Sequence, residues 1–307
     1  MHTPIVWIGF NLLILFLLTL DLLVFNKKPH EISIKEALAW SGVWITLALC
    51  FNVVVYYWYG YDLALQYFTG YLIEKSLSVD NLFVFLLLFS FFKVPAKYQH
   101  KVLYWGILGA LVMRGVLILL GAALVAKFHW LLLVFGAFLV VTGIKMALQK
   151  EEKEVHPERN IVVRMFKKII PVTAGYHEEK FFITINKKRY ATLLVIVLIV
   201  IETTDLLFAV DSIPAVFAVS TDSFIIYTSN VFAILGLRSL YFALAGMISM
   251  FYYLRHGLSV ILTFIGLKML VADIFPIPIS IALGVVGTVL LIAIAASIAR
   301  AKQLRHS

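Results

Sequence analysis

Residues 74–81 are Glu-Lys-Ser-Leu-Ser-Val-Asp-Asn, and residues 205–212 are Asp-Leu-Leu-Phe-Ala-Val-Asp-Ser. Each stretch lies inside a long apolar run and places an acid six residues before a Val-Asp pair. An arginine follows each stretch in the next apolar run, Arg114 in the first copy and Arg238 in the second, and a Gly-x-Lys-Met group ends the run after that. The sequence therefore predicts an internal repeat of three apolar segments.

The composition is that of a polytopic membrane protein. Of the 307 residues, 62% are hydrophobic and 14% are charged, whereas about 25% are charged in a typical soluble domain. This excludes a soluble enzyme, a disordered chain and a protein that binds nucleic acid. The single cysteine, Cys50, excludes a disulfide framework and a thiolate metal cluster.

A helix needs about 20 mostly apolar residues to span a membrane, and nine such runs follow one another along the chain. Their predicted bounds are 5–25, 36–58, 66–92, 102–125, 128–148, 191–219, 224–252, 256–274 and 278–299. We therefore expect an all-α membrane protein with about nine transmembrane helices. The predicted organisation is two N-terminal helices (1–65), a first three-helix repeat (66–148), a loop (149–190), a second three-helix repeat (191–275) and a C-terminal helix with a short tail (276–307).

Basic residues predict the orientation of these spans. The chain has 26 Lys and Arg against 17 Asp and Glu, and most basic residues lie in segments that nine spans place on one side. That side is the cytoplasm by the positive-inside rule, so the N-terminus is outside and the C-terminus is inside. Because each repeat crosses the membrane three times, the second copy is inverted relative to the first. Secondary transporters commonly have such inverted repeats, with the substrate site near the midplane where the repeats meet.

The loop 149–190 is the one stretch of the chain with a soluble composition. It contains alternating charges, Pro157, Pro171 and a short β-like run at residues 181–185. Either a solvated linker or a small regulatory element fits this composition, and we favour the linker.

Acidic residues occur deep inside two predicted spans, where an ionisable group is costly and marks a functional site. Oxygen ligands from carboxylates, amides and hydroxyls suit a hard cation such as Mg²⁺, Ca²⁺ or Mn²⁺. The predicted ligands are Glu74, Asp80, Asn81, Glu202, Asp205, Asp211 and Ser212.

Two acids six residues apart do not share a face of a straight helix. A helix break at Pro214 is expected to bring Asp205 and Asp211 towards one point.

The alternative role for these acids is purely structural, as partners of basic residues within the spans. Lys145 and Lys268 lie near span ends, where their long side chains reach the interface. Arg114, Arg238 and Lys75 lie deeper, and we expect them to balance the charge of the acids. Because a cluster of acids recurs at equivalent places in the two repeats, a cation site explains it better than ion pairs alone.

Other chemistries have little support in the sequence. The histidines lie at termini, in loops or at span edges, which argues against a haem and against a histidine-rich zinc site. The sequence has no phosphate-binding glycine motif and no pairing of a nucleophile with a base. We therefore expect neither a permanently bound cofactor nor an enzymatic activity.

Three stretches resemble the TerC family of bacterial inner-membrane proteins, most closely its Alx type; these are residues 68–81, 205–219 and 228–241. The resemblance extends from the first span to about residue 299. It implies the fold of the LysE-like transporter superfamily, a multi-pass location in the inner membrane and export of manganese from the cytoplasm. It also implies the historical labels of tellurium resistance and alkali induction, and it places all five acids, with Asn81 and Ser212 beside them, in the site.

Several alternatives stay open at this point. The substrate could be another ion such as calcium, or a small cationic organic solute. The chain could instead be a membrane scaffold that helps metals load onto exported enzymes. The sequence leaves the oligomeric state and the coupling ion open, although titratable carboxylates make proton antiport physically reasonable. The expected partners are the lipid bilayer and the divalent metal ion that is transported.

Overall fold

The computed structural model describes residues 3–25, 33–128, 130–148, 160–173, 175–177, 179–185, 187–245, 253–272 and 274–306. Within these ranges, the side chains of 22–25, 80, 211, 302 and 304–306 lie outside the description. The chain divides into two compact units, Met1–Ile32 and Ser33–Ser307. The first unit contains helix α1, and the second contains every other element.

The described residues form eleven α-helices and one antiparallel β-hairpin. In chain order the elements are α1 (Pro4–Phe25), α2 (Ile34–Tyr59), α3 (Tyr61–Phe91), α4 (Ala96–Lys127), α5 (Leu131–Leu148), α6 (Ile161–Ile169), β1 (Phe182–Ile185), β2 (Lys188–Ala191), α7 (Leu193–Phe217), α8 (Ser223–Ile234), α9 (Leu237–Ala245), α10 (Leu254–Leu270) and α11 (Ile279–His306).

Each predicted span coincides with a helix or a helix pair, but the predicted number of nine spans is not confirmed. Among the described residues, seven helical segments are long and apolar enough to cross a membrane: α1, α2, α4, α5, α7, α8 together with α9, and α11. Helix α3 has 31 residues but includes Glu74, Lys75 and Asp80. Helix α10 has 17 residues, fewer than a perpendicular span usually requires.

The helices of the second unit pack in pairs that join the two predicted repeats. Helix α3 packs on α8, α4 packs on α7, and α5 packs on α10. Each pair therefore joins one helix of the first repeat with one helix of the second.

Two clusters of apolar side chains fill the bundle formed by α3, α4, α7, α8 and α9. The first apolar cluster lies where α4 and α7 begin, and it includes Leu82, Leu103, Ile201 and Leu237. The second apolar cluster lies nearer the other ends of α4 and α7, and it includes Ile118, Ile213, Phe217 and Ile226. The middles of α4 and α7 lie between the two clusters.

Glycines bring α5 and α10 into backbone contact. A Cβ atom added to Gly143 would lie 2.8 Å from the carbonyl oxygen of Ser259, and one added to Gly266 would lie 2.7 Å from that of Gly136. The repeat pairs Gly143 with Gly266, and the same shift along the sequence pairs Gly136 with Ser259. The two contacts are therefore reciprocal between the copies.

The helix break lies in α8–α9 and not at Pro214. Helix α7 continues through Pro214, although proline removes the N–H that would bond to the carbonyl of Val210. Instead, α8 ends at Ile234 and α9 begins at Leu237. Gly236 between them has a φ angle of 80°, which glycine adopts without the steric cost of a Cβ atom. The expected break near Asp211 is therefore wrong.

The described part of the loop 149–190 is folded against the ends of the membrane helices. The side chain of Asn160 caps α6 and donates to the Thr203 hydroxyl on α7 at 2.7 Å. The Tyr176 hydroxyl donates to the carbonyl of Phe92 at 2.7 Å. Burial raises the pKa of Tyr176 to about 12, so this group is a neutral donor at physiological pH.

The hairpin side of the same segment is also attached to the bundle. Lys101 on α4 donates to the carbonyl of Glu179 at 2.6 Å, and its ammonium group lies 5.2 Å from the centre of the Phe181 ring. Residues 182–191 contain the hairpin β1–β2. Over its described residues, this segment is therefore a packed element and not the solvated linker that we favoured.

The break at Gly236 gives a test of the fold. In Gly236→Ala, the new Cβ atom would meet the Cβ and Cγ atoms of Trp44 at 2.7 Å, in a backbone conformation that alanine disfavours. We expect the free energy of unfolding to fall by about 2–3 kcal/mol, seen as a lower denaturation temperature in detergent. The control is Gly284→Ala on α11, where the added Cβ has no heavy atom within 4 Å. Equal stability of the two variants would contradict the strained break.

Candidate functional site

Arg114 lies at the centre of a charged cluster in the middle of the bundle. Its Nε donates to Oδ2 of Asp205 at 3.3 Å and its Nη2 donates to Oδ1 at 3.1 Å, which is a two-pronged ion pair. Its Nη1 pairs with Glu74 and donates to Oδ1 of Asn230 at 3.2 Å. One guanidinium group therefore joins side chains from α3, α7 and α8.

The four residues of this cluster are buried. Glu74 is 0% exposed, Arg114 and Asn230 are 1% exposed, and Asp205 is 4% exposed. The first and second apolar clusters lie on either side of them. Asp205 is about 18 Å along α7 from its first residue, close to half the length of the helix. This is the depth at which transporters bind their substrates.

Four buried polar atoms on α3, α7 and α8 have no hydrogen-bond partner among the described residues. These atoms are Oε2 of Glu74, Oε2 of Glu202, Oγ of Ser78 and Nδ2 of Asn230. Most buried polar side-chain atoms in proteins do have a partner, so each exception requires an explanation. Three of the four are oxygens that can bind a hard cation.

Glu202 lies against the backbone of α4, where a glycine leaves it room. A Cβ atom added to Gly109 would overlap the carboxylate of Glu202. Glu202 precedes Asp205 by three residues, so the two acids share one face of α7. Gly109 thus makes room for the carboxylate of Glu202 on the same face of α7 as Asp205.

The structure brings several, but not all, of the predicted site residues together. Glu74 and Asp205 meet at Arg114, and the Ser212 hydroxyl donates to Oε1 of Glu74 at 3.5 Å. Asn81 is buried on α3. Asp80 and Asp211 lie on α3 and α7, but their side chains are outside the described residues, so their predicted roles stay predictions.

The two other predicted charge-balancing residues are held elsewhere. Lys75 donates to the carbonyls of Ala233 at 3.2 Å and Leu235 at 3.4 Å, at the end of α8. It therefore satisfies the carbonyls that the helix break exposes. Arg238 is buried on α9, and its Nη1 lies 3.4 Å from Nδ1 of His100.

Asn230 is the site residue that the sequence did not predict as a ligand. It lies in α8 within the sequence Thr228-Ser229-Asn230. The signal was an amide in an otherwise apolar span, which is costly in a membrane unless it has a function or a partner. Its register against Arg114, on another helix, is set only by the tertiary fold.

The directly bonded cluster contains more acidic than basic side chains. Two carboxylates face one guanidinium, so the directly bonded group has an excess negative charge when both acids are ionised. Within the described side chains, which exclude Asp80 and Asp211, no three His, Cys, Asp or Glu groups are placed to hold a metal ion. The guanidinium lies where the two acids converge.

The fold and the site define a class: an integral membrane protein whose helices enclose a buried charged site. The integral membrane protein TerC family matches residues 59–305. The chain therefore belongs to the TerC family, and the resemblance of its motifs to that family is confirmed.

Relatives of known sequence cover nearly the whole chain. An uncharacterised membrane protein of Myxococcus xanthus is 48% identical over 301 residues, covering 98% of this chain and 94% of the relative. A Salmonella typhi protein named "Putative membrane-bound redox modulator Alx" is 49% identical over 300 residues, covering 94% and 92%. An Escherichia coli K12 protein of the same name is 48% identical over 298 residues, also covering 94% and 92%. No solved structure matches the chain significantly.

A pair of glycines one helical turn apart tests whether Glu202 contributes to a cation site. Gly109→Ala should displace the Glu202 carboxylate, whereas in Gly106→Ala the new Cβ would lie 3.5 Å from Ile201, an ordinary contact. We expect Gly109→Ala to weaken Mn²⁺ binding on the order of tenfold, as supporting residues of metal sites do. The measurement is the rise in denaturation temperature with added Mn²⁺. If both variants respond to Mn²⁺ as the parent does, Glu202 is not a ligand.

Proposed function

We propose that this protein is a secondary transporter that exports divalent manganese from the cytoplasm through the buried carboxylate site. The observation on which this rests is the convergence of Glu74 and Asp205, from two different helices, on one buried point. The protein then performs no catalysis and needs no resident cofactor. Manganese is its substrate.

The chemistry of the site supports a hard cation. Among the described side chains, the acceptors bonded within the cluster are oxygens: the carboxylates of Glu74 and Asp205 and the amide oxygen of Asn230, with the Ser212 hydroxyl beside Glu74. Oxygen ligands suit manganese, calcium and magnesium and are poor partners for soft metals. The unpartnered oxygen of Glu74 gives a cation an additional place to bind.

The helix packing supports two repeats that face each other across a pseudo-two-fold axis. The first helix of each predicted repeat packs on the second helix of the other, and the two third helices pack on one another. The reciprocal glycine contacts of α5 and α10 follow the same rule. Such symmetry supports inverted repeats and a site that opens alternately to either side.

Three other functions compete with manganese export. Calcium satisfies the same ligand preferences, and a scaffold for metal loading would bind metal without moving it. A direct redox role, which the name of the Alx relatives proposes for those proteins, has less support here. Cys50, the single cysteine of the sequence, is exposed on α2, and thiol–disulfide exchange within one chain needs a second thiol.

Flux measurements separate these functions. Liposomes that contain the purified protein should release Mn²⁺ down its gradient, and they should release it faster than Ca²⁺ or Mg²⁺. A comparison of the Mn²⁺ flux at two pH values tests for exchange with protons. Binding of Mn²⁺ without flux would identify a scaffold. Preference for Ca²⁺ would make calcium the substrate.

Asp205→Asn removes one negative charge from the site while preserving side-chain size. We expect manganese flux per folded molecule to fall at least on the order of a hundredfold, because the remaining ligands offset dehydration of a divalent ion poorly. The matched control is Asp222→Asn, since Asp222 caps α8 by accepting from the N–H groups of Phe224 and Ile225 and asparagine caps helices equally well.

Asp205→Asn also weakens a buried ion pair and can lower stability. Glu202→Gln therefore serves as a second variant, because Oε2 of Glu202 has no hydrogen-bond partner in the described residues. Normal flux in both folded variants would remove Glu202 and Asp205 from the transport site.

The orientation has a separate test. We propose an inner-membrane protein with the N-terminus outside and the C-terminus in the cytoplasm, because residues 93–101 contain three lysines and the segment containing α6 is rich in Lys and Arg. Reporter fusions after residues 160 and 302 should both report a cytoplasmic location, and a fusion at Asp62 should report the outer side. An external signal from residue 160 would contradict both the topology and the inversion of the second repeat.

A further inference from the structure

The guanidinium of Arg114 already occupies the position that a transported cation would take. It makes four contacts with the site, two to Asp205, one to Glu74 and one to Asn230. We infer that Arg114 is a built-in replacement cation, which neutralises the site while the empty transporter returns and moves aside when metal binds. This inference rests on the proposed function and concerns the half of the transport cycle in which no metal is bound.

The need for such a cation follows from burial. The carboxylates of Glu74 and Asp205 lie between two apolar clusters and are almost completely buried. Two unpaired negative charges would strongly oppose any rearrangement that keeps them in this apolar setting. Pairing with Arg114 removes most of this penalty, and a divalent cation in its place would remove it as well.

No other described side chain takes this role. Lys75 directly follows Glu74 in the sequence, but its ammonium group donates to the carbonyls of Ala233 and Leu235. Arg238 lies on α9 beside His100. Among the described residues, the ion pairs with Glu74 and Asp205 come from Arg114.

The neighbours of Arg114 on the preceding turns of α4 are small. A side chain on a helix points towards the N-terminus of that helix, over the residues four and eight positions earlier. For Arg114 these are Ala110 and Gly106, two of the smallest residues, and they line a small cavity bordered by Asp205. The cavity has room for about one water molecule, and its lining residues other than Asp205 are apolar. The movement of Arg114 is therefore a small shift beside Asp205 and not a transfer to a second polar site.

Two transport modes distinguish the loaded from the empty half of the cycle. Net efflux of Mn²⁺ from liposomes requires the empty transporter to return, whereas exchange of labelled for unlabelled Mn²⁺ at equal concentrations uses only the loaded forms. In Arg114→Gln we expect net efflux to fall at least tenfold and exchange to stay within about twofold of the parent. Arg114→Lys, which retains a cation, should recover part of the net efflux. The control is Arg164→Gln on α6, which is exposed and should leave both modes unchanged.

Each other result counts against the inference. Equal loss of exchange and net efflux in both Arg114 variants would mean that Arg114 only maintains the structure. Normal net efflux in Arg114→Gln would mean that the acids return with bound protons instead. If the parent protein itself moves no Mn²⁺ in either mode, the proposed function fails, and the role of Arg114 fails with it. If the parent moves Mn²⁺ in both modes, the behaviour of the Arg114 variants alone decides whether Arg114 is a replacement cation.

Discussion

The ion pairing of Arg114 with Glu74 and Asp205 is the constraint on which the rest of the bundle depends. A buried charge is tolerated in a membrane only when another group compensates it, so α3, α4 and α7 must hold their polar residues at one level. Asn230 on α8 completes the partners of the guanidinium. The first and second apolar clusters on either side then exclude water, which strengthens the electrostatic interactions between Arg114 and the two acids.

Much of this arrangement could be predicted from the sequence. Apolar runs are long and local, so each predicted span coincides with a helix or a helix pair, with ends that agree to within seven residues. The exception is the C-terminal end of the α8–α9 span, whose last predicted residues lie outside the description. Glu74 and Asp205, the buried acids among the described residues of the second unit, stand out because charged residues are rare within such runs. The choice of Arg114 as a charge-balancing residue also follows from its depth. These features depend on composition and periodicity within one segment.

Features that depend on contacts between segments could not be predicted. Pro214 indicated a break, yet α7 continues through it, while Gly236 marks the break that does occur. Lys75 was expected to balance acids but binds the carbonyls which that break exposes. Asn230 and Gly109 gain their significance only from residues far away in the sequence. The packing of residues 160–191 against the bundle was likewise hidden by a polar composition.

The backbone contact between α5 and α10 limits how these two helices can move. Where glycines let two helices touch at their main chains, few side chains between the backbones can adjust to sliding. Displacement along either helix would bring bulkier neighbours into collision, whereas a change of crossing angle about the contact point would not. The pair therefore has the geometry of a pivot, about which α5 and α10 can change their crossing angle but not their register.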